Sequence, residues 1–112
     1  MLTVDALRAC GANTAEGLGR CMNNEAFYLR LVNMALDDAG FQKQADAVAA
    51  GDKKAGFEVA HSLKGVLGNL ALTPIYAPVA EMTELLRASA DADYQSYLDK
   101  ILAARDQLLA LR

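Results

Sequence analysis

Apolar residues recur along this chain at the spacing of helices rather than of strands. Residues 3–10 predict a short helix with Thr3 as N-cap and Gly11 as its stop. Residues 14–22 add a further turn or two, weakened by Gly17 and Gly19. Asn23 or Asn24 caps a stronger helix, in which Phe27, Leu31 and Met34 recur at i, i+4 and i+7, the spacing of one buried face. Ala39-Gly40 either breaks that helix or bends it, and helical spacing resumes at Phe41, Ala45 and Val48. Gly51 suits a left-handed position past a helix end, and Asp52 then caps a helix over about residues 53–71. Thr73-Pro74 reads as an N-cap followed by a first-turn proline. Pro78 leaves two options, a helix that starts near Ala77 or one whose second turn is distorted. Val79, Met82 and Leu86 then share a face. A last helix begins near Asp91 or Asp93, with a stripe of Tyr94, Tyr97/Leu98, Ile101/Leu102 and Leu108/Leu109 that Arg105 interrupts. Long amphipathic helices with short connections predict an all-α fold. The expected architecture is one domain over residues 1–112. It comprises short helical segments in 1–23 and an antiparallel up-down four-helix bundle in 24–111.

The helix over 53–71 carries the most unusual pattern. At about 100° per residue, with Phe57 at zero, Val59, Ala60, Leu63, Val66, Leu67 and Leu70 gather around roughly 240°. His61, Lys64, Gly65 and Gly68 fall between about −20° and +80°, almost opposite that core face. His61 is the only histidine of the chain. Two glycines on an outer helix face gain no core packing to offset their poor helix propensity. They leave the backbone bare, so another protein can approach closely around the imidazole. Lys64, three residues on, is a surface neighbour of His61 and favours an anion attached to the ring. Phe57, four residues before His61 on the same outward face, reads either as an interface anchor or as packing beneath the short N-terminal segments.

Composition narrows the classes. Hydrophobic residues make up 54% of the chain, and there are only two prolines. A net charge of −3 without a block of Lys/Arg argues against nucleic-acid binding. No apolar run approaches the roughly 18 residues that span a bilayer, and the start lacks a basic segment followed by an apolar one. A cytoplasmic monomer without membrane contact is the simplest expectation. Cys10 and Cys21 match no zinc or redox spacing, and one histidine would supply only a third ligand, so both read as reduced, mostly buried thiols and no metal site is expected. No glycine-rich phosphate loop is present, so no ATP site is expected.

The stretch His61-Ser62-Leu63-Lys64-Gly65-Val66-Leu67-Gly68-Asn69-Leu70-Ala71 resembles the H-x-x-K-G motif of histidine-containing phosphotransfer (HPt) domains of multistep two-component phosphorelays. The upstream segment "GLGRCMNNEAFYLRLV" is similar to that family's entry into its first bundle helix, so the resemblance spans roughly residues 14 to 110. The chain departs from the family at Ala71, where glycine is usual, and at Val66-Leu67, where small residues are common. The resemblance implies a phosphocarrier rather than an enzyme. His61 would accept a phosphoryl group on Nε2 from a receiver-domain aspartyl phosphate and pass it to another receiver aspartate. Lys64 would help hold the phosphate, Gly65 would keep the approach clear, and Gly68 would share that docking role. Partners would be response-regulator receiver domains and a hybrid sensor histidine kinase. The chain would need no cofactor of its own, because Mg²⁺ and the acidic pocket would belong to the receiver. Two alternatives remain at this point: the phosphotransfer domain of a chemotaxis-type histidine kinase, and a helical interaction module that is never phosphorylated.

Overall fold

The computed structural model describes all 112 residues and contains seven helices and no strand. They are α1 (Val4–Ala9), α2 (Thr14–Arg20), α3 (Glu25–Leu36), α4 (Gly40–Ala49), α5 (Lys53–Asn69), α6 (Thr73–Arg87) and α7 (Tyr94–Leu109). The all-α class is as the sequence predicts. Short polar side chains start most of these helices, because each satisfies one backbone N–H that the first turn leaves without a partner. Thr3 accepts from Ala6 N at 3.1 Å, Asn24 from Phe27 N at 3.1 Å, Asp52 from Ala55 N at 3.0 Å and Asp93 from Ser96 N at 3.2 Å. α6 departs from expectation. Its N-cap is Leu72 with no side-chain hydrogen bond, Thr73 and Pro74 are already helical, and the helix runs on through Pro78.

Residues 37–39 separate α3 from α4, and Asp38 Oδ1 accepts from Gly40 N at 2.6 Å to start the second helix. Residues 25–109 therefore hold five helices. Contacts with α5 run in opposite chain order. The Tyr28 hydroxyl reaches Leu70, Gly40 lies beside Leu63, and Ala47 lies beside Gly56. α3 and α4 thus follow one another along α5, antiparallel to it. α5 and α6 are likewise antiparallel, with Gly56 beside Leu86 and Gly68 beside Tyr76. Arg105 and Arg112 of the last arm face Phe41 and Asp37 in turn, which sets α7 antiparallel to α4. Leu63, Leu67, Ile75, Val79, Met82, Leu98 and Ile101 fill the space between these helices and are essentially inaccessible to solvent.

The buried face of α3 differs from the expected one. Tyr28, Val32, Ala35 and Leu36 are buried, whereas Phe27 and Leu31 are half-buried and Met34 is 63% exposed. Both stripes have helical spacing and lie about 100° apart. The turn after α5 selects the Tyr28 stripe. The Tyr28 hydroxyl donates to the Leu70 carbonyl at 2.9 Å in a buried site. Gly17 on α2 makes room for the ring, since a Cβ there would lie 2.5 Å from Tyr28 Cε1 and 2.7 Å from the Leu70 oxygen.

α5 itself ends two residues earlier than the spacing suggests. Leu72 N–H donates to Leu67 O at 3.0 Å and Ala71 N–H to Gly68 O at 3.1 Å, the paired bonds of a Schellman turn. Ala71 holds the left-handed position of that turn, at φ 53°. A glycine would adopt that angle without a Cβ penalty. The turn also anchors the N-terminal segment, because Asn13 N–H donates to Ala71 O at 3.0 Å. Gln44 is fully buried and neither of its side-chain polar atoms has a partner, and Arg105 Nε is likewise buried without one. No contact explains the burial of Gln44.

Two stability predictions arise here. Gly17→Ala forces the Tyr28 ring or the Leu70 turn to move and should cost about 1–3 kcal/mol in chemical denaturation. Burial, and secondarily Cys21, push the Tyr28 hydroxyl above its ordinary range. Its folded pKa therefore exceeds the unfolded one, so its contribution is complete below the unfolded tyrosine range and is lost as pH rises beyond it. Stability measured at alkaline pH should fall more steeply in the wild type than in Tyr28→Phe.

Candidate functional site

The sequence builds the site by placing an uninterrupted helix behind it. Ala60, Leu63 and Leu67 are buried against the neighbouring helices and set the rotation of α5. His61 consequently projects to solvent from the centre of that helix. One turn before it, Phe57 stacks on the imidazole with ring centroids 5.5 Å apart and an interplanar angle of 22°. Phe57 is half-buried, and the Arg87 guanidinium of α6 covers its ring at 4.9 Å. Its neighbours are thus His61 and α6, in place of the N-terminal segments that one reading of the sequence assigned to it.

Beyond His61 along α5, an open groove of about 540 Å³ carries His61, Lys64, Gly65 and Gly68 together. The two glycines differ. A Cβ at Gly65 would meet nothing within 4 Å, so the backbone there is bare. A Cβ at Gly68 would come within 3.1 Å of the Tyr76 ring, and the Gly68 carbonyl accepts a hydrogen bond from Arg20. Gly68 therefore accommodates Tyr76 within the molecule. Lys64 is half-buried, and its ammonium lies 3.8 Å from Glu84 Oε1. The other Glu84 oxygen accepts from Arg87 Nε at 3.3 Å.

Arg20, Tyr76, Glu84 and Arg87 are residues that sequence reasoning did not single out. Glu84 and Arg87 have helix-neighbour spacing. Their position beside Lys64 and Phe57 depends on how α6 lies against α5. Arg20 reaches Gly68 across 48 residues of chain and also pairs with Glu16 on its own helix. No local signal announces such a contact.

Chemically, the site offers one solvent-facing imidazole on a groove that Lys64 and Arg20 also line, with Arg87 behind Phe57 and with Glu16 and Glu84 as the acidic partners of these cations. That balance suits a transient anion on the ring. The chain has no group of three or more His, Cys, Asp or Glu side chains placed to hold a metal ion. Cys10 and Cys21 are free thiols, half-buried and buried. No helix is long and apolar enough to cross a membrane.

A family model described as Hpt domain matches residues 28–112, about three-quarters of the chain. The match begins inside α3 and includes the whole of α5, while α1, α2 and Arg20 lie before it. Comparison with curated proteins and with solved structures finds no match.

Because the Gly65 position is open and helical, Gly65→Ala should not disturb the fold. It should raise stability by about 0.5–1 kcal/mol through backbone entropy and helix propensity, as read from the denaturation midpoint.

Proposed function

The chain belongs to the Hpt domain family, whose members act in histidine phosphotransfer within two-component phosphorelays, and from that premise we propose that it is a phosphocarrier acting through His61. The observation that carries this reading is the setting of the ring. His61 stands exposed at the centre of α5, with bare Gly65 one turn beyond it and Lys64 three residues on.

In the accepting step, the lone pair on His61 Nε2 attacks the phosphorus of a receiver's aspartyl phosphate. The N–P bond forms as the bond to the aspartyl oxygen breaks, and the receiver's carboxylate departs with that electron pair. The donating step is the reverse, onto the aspartate of a second receiver. A neutral imidazole is the nucleophile, and histidine is the side chain that supplies one near neutral pH. Phosphoryl transfer needs alignment and charge stabilisation more than covalent help from the protein. Lys64 contributes one donor to the phosphoryl oxygens. Neutralisation of the remaining charge would fall to Mg²⁺ and the acidic residues of the receiver. An exposed imidazole can enter that receiver pocket, and the open backbone at Gly65 lets the receiver come close. The carrier works as a monomer between a hybrid sensor histidine kinase and response-regulator receivers, and it is not itself a catalyst.

The test is phosphorylation with a small-molecule phosphoramidate, and in parallel with a phosphorylated receiver and Mg²⁺, followed by intact mass and ³¹P NMR. One acid-labile, alkali-stable phosphoryl group is expected, and it should be absent in His61→Ala. Lys64→Ala should slow transfer about tenfold, the loss of one hydrogen bond to a charged group. Gly65→Leu should hinder the receiver while leaving phosphoramidate loading intact. A folded wild type that accepts no phosphoryl group from either donor would remove the carrier reading and leave a helical docking module.

A further inference from the structure

A chain of contacts leaves His61 and returns beside it. Phe57 stacks on the imidazole, and the Arg87 guanidinium covers the other ring at 4.9 Å. Arg87 donates to one oxygen of Glu84, and the second oxygen faces the Lys64 ammonium at 3.8 Å. Glu84 thus stands between two cations, on the helix that packs against the phosphoacceptor's own.

The two pairs differ in what they can do. At 3.8 Å, the Lys64–Glu84 contact is longer than the roughly 2.7–2.9 Å of a charge-assisted hydrogen bond. It is an ion pair that a stronger acceptor can take apart. The Lys64 side chain is only 28% exposed, so its stem is held and its ammonium moves within a short strip of surface. Along α5, that strip adjoins His61, because residues three apart share a face. A phosphoryl group on His61 brings negative charge and three strong acceptor oxygens, as the ester phosphates of Ser, Thr and Tyr do. It outcompetes one exposed carboxylate for the same ammonium. Arg87 remains to pair with the carboxylate that Lys64 gives up.

We propose that Glu84 is the resting counter-ion of Lys64. When His61 is loaded, the ammonium passes from the Glu84 carboxylate to the phosphoryl oxygens, and when the group departs it returns. This inference rests on the phosphocarrier reading of His61. Glu84 is a positioning residue in this scheme. It keeps Lys64 ordered beside an empty imidazole, and its pull on Lys64 limits how firmly the loaded group is held. A carrier needs that limit, because a phosphoryl group bound too tightly cannot be passed on.

The experiment reads the phosphoryl group itself. Wild type, Glu84→Gln, Lys64→Ala, the Lys64→Ala/Glu84→Gln double variant and Asp99→Asn are loaded with phosphoramidate. The phosphohistidine is then titrated by ³¹P NMR between about pH 6 and 8, with the ring protons followed alongside, so that ionisation of the phosphoryl group is separated from that of the free ring nitrogen. Asp99 is an exposed carboxylate on α7, which packs against α3, α4 and α6, so its variant makes the same change in net charge away from the Lys64 pair. Removing Glu84 frees Lys64 for the phosphoryl oxygens and favours the dianion. The acid dissociation constant of the phosphoryl group should rise about two- to fivefold in Glu84→Gln, the range of an exposed ion pair. It should change less in Asp99→Asn. In the Lys64→Ala background, the Glu84→Gln effect should shrink to the size of that control. Loaded Glu84→Gln that titrates like wild type overturns the inference and leaves the carrier reading standing. So does a full shift that persists without Lys64. A wild type that cannot be loaded on His61 overturns both.

Discussion

Packing of one face of α5 is the constraint on which the rest of this structure depends. Ala60, Leu63 and Leu67 are each at most 2% exposed. Burying a leucine side chain of this kind is worth about 1.5–3 kcal/mol, so turning α5 to hide His61 would cost several such burials. The rotation of the helix is therefore decided by its hydrophobic side, and the outward direction of the imidazole follows. The histidine needs no hydrogen bond of its own to be presented. It is carried on a rigid element whose position is set from behind, the arrangement that best fixes a reacting group while leaving it accessible.

The two ends of α5 are held by different means. At its start, the Asp52 side chain caps the first turn, and Lys53 reaches across to Asp91 at 2.9 Å and to the Ser89 carbonyl at 3.2 Å. The pairing lowers the Asp91 carboxyl and raises the Lys53 amine relative to their ordinary values. At its end, the last-turn carbonyls are claimed by the Schellman bonds, by Tyr28 and by Arg20. α1 and α2 thus do more than precede the bundle. Glu16 and Arg20 of α2 close the end of the groove that begins at His61. Gly17 and Arg20, which permit that closure, lie outside the region matched to the Hpt family.

Phe57 and Gly68 show how tertiary neighbours change the meaning of an exposed helix face. Both lie on the outward side of the wheel, yet each is engaged within the molecule: Phe57 between His61 and Arg87, Gly68 beneath Tyr76. Gly65 alone of the two site glycines stays open. The free surface around the imidazole is narrower than the wheel implies, and its cations arrive already paired with carboxylates. Such pairing keeps this surface near neutrality.

Some features of this protein depend only on residues close together in the chain, and these were legible in the sequence. The all-α class follows from helical spacing of apolar residues. The starts at Thr3 and Asp52 follow from side chains that bond N–H groups three residues on, and Asn24 and Asp93 are each one of the two caps that the sequence offered. The outward placement of His61, Lys64 and Gly65 follows from the helix period within one segment. Other features were decided by tertiary structure alone, because they turn on which surfaces meet. α3 has two apolar stripes, and burial of Tyr28, Val32 and Ala35 rather than Phe27, Leu31 and Met34 was settled by the Leu70 carbonyl and the space above Gly17. The helical course of α6 through Pro78 belongs here too, since Ile75, Val79 and Met82 are fully buried along it. So do Arg20 at Gly68 and Glu84 at Lys64, contacts between helices whose relative placement no local period encodes.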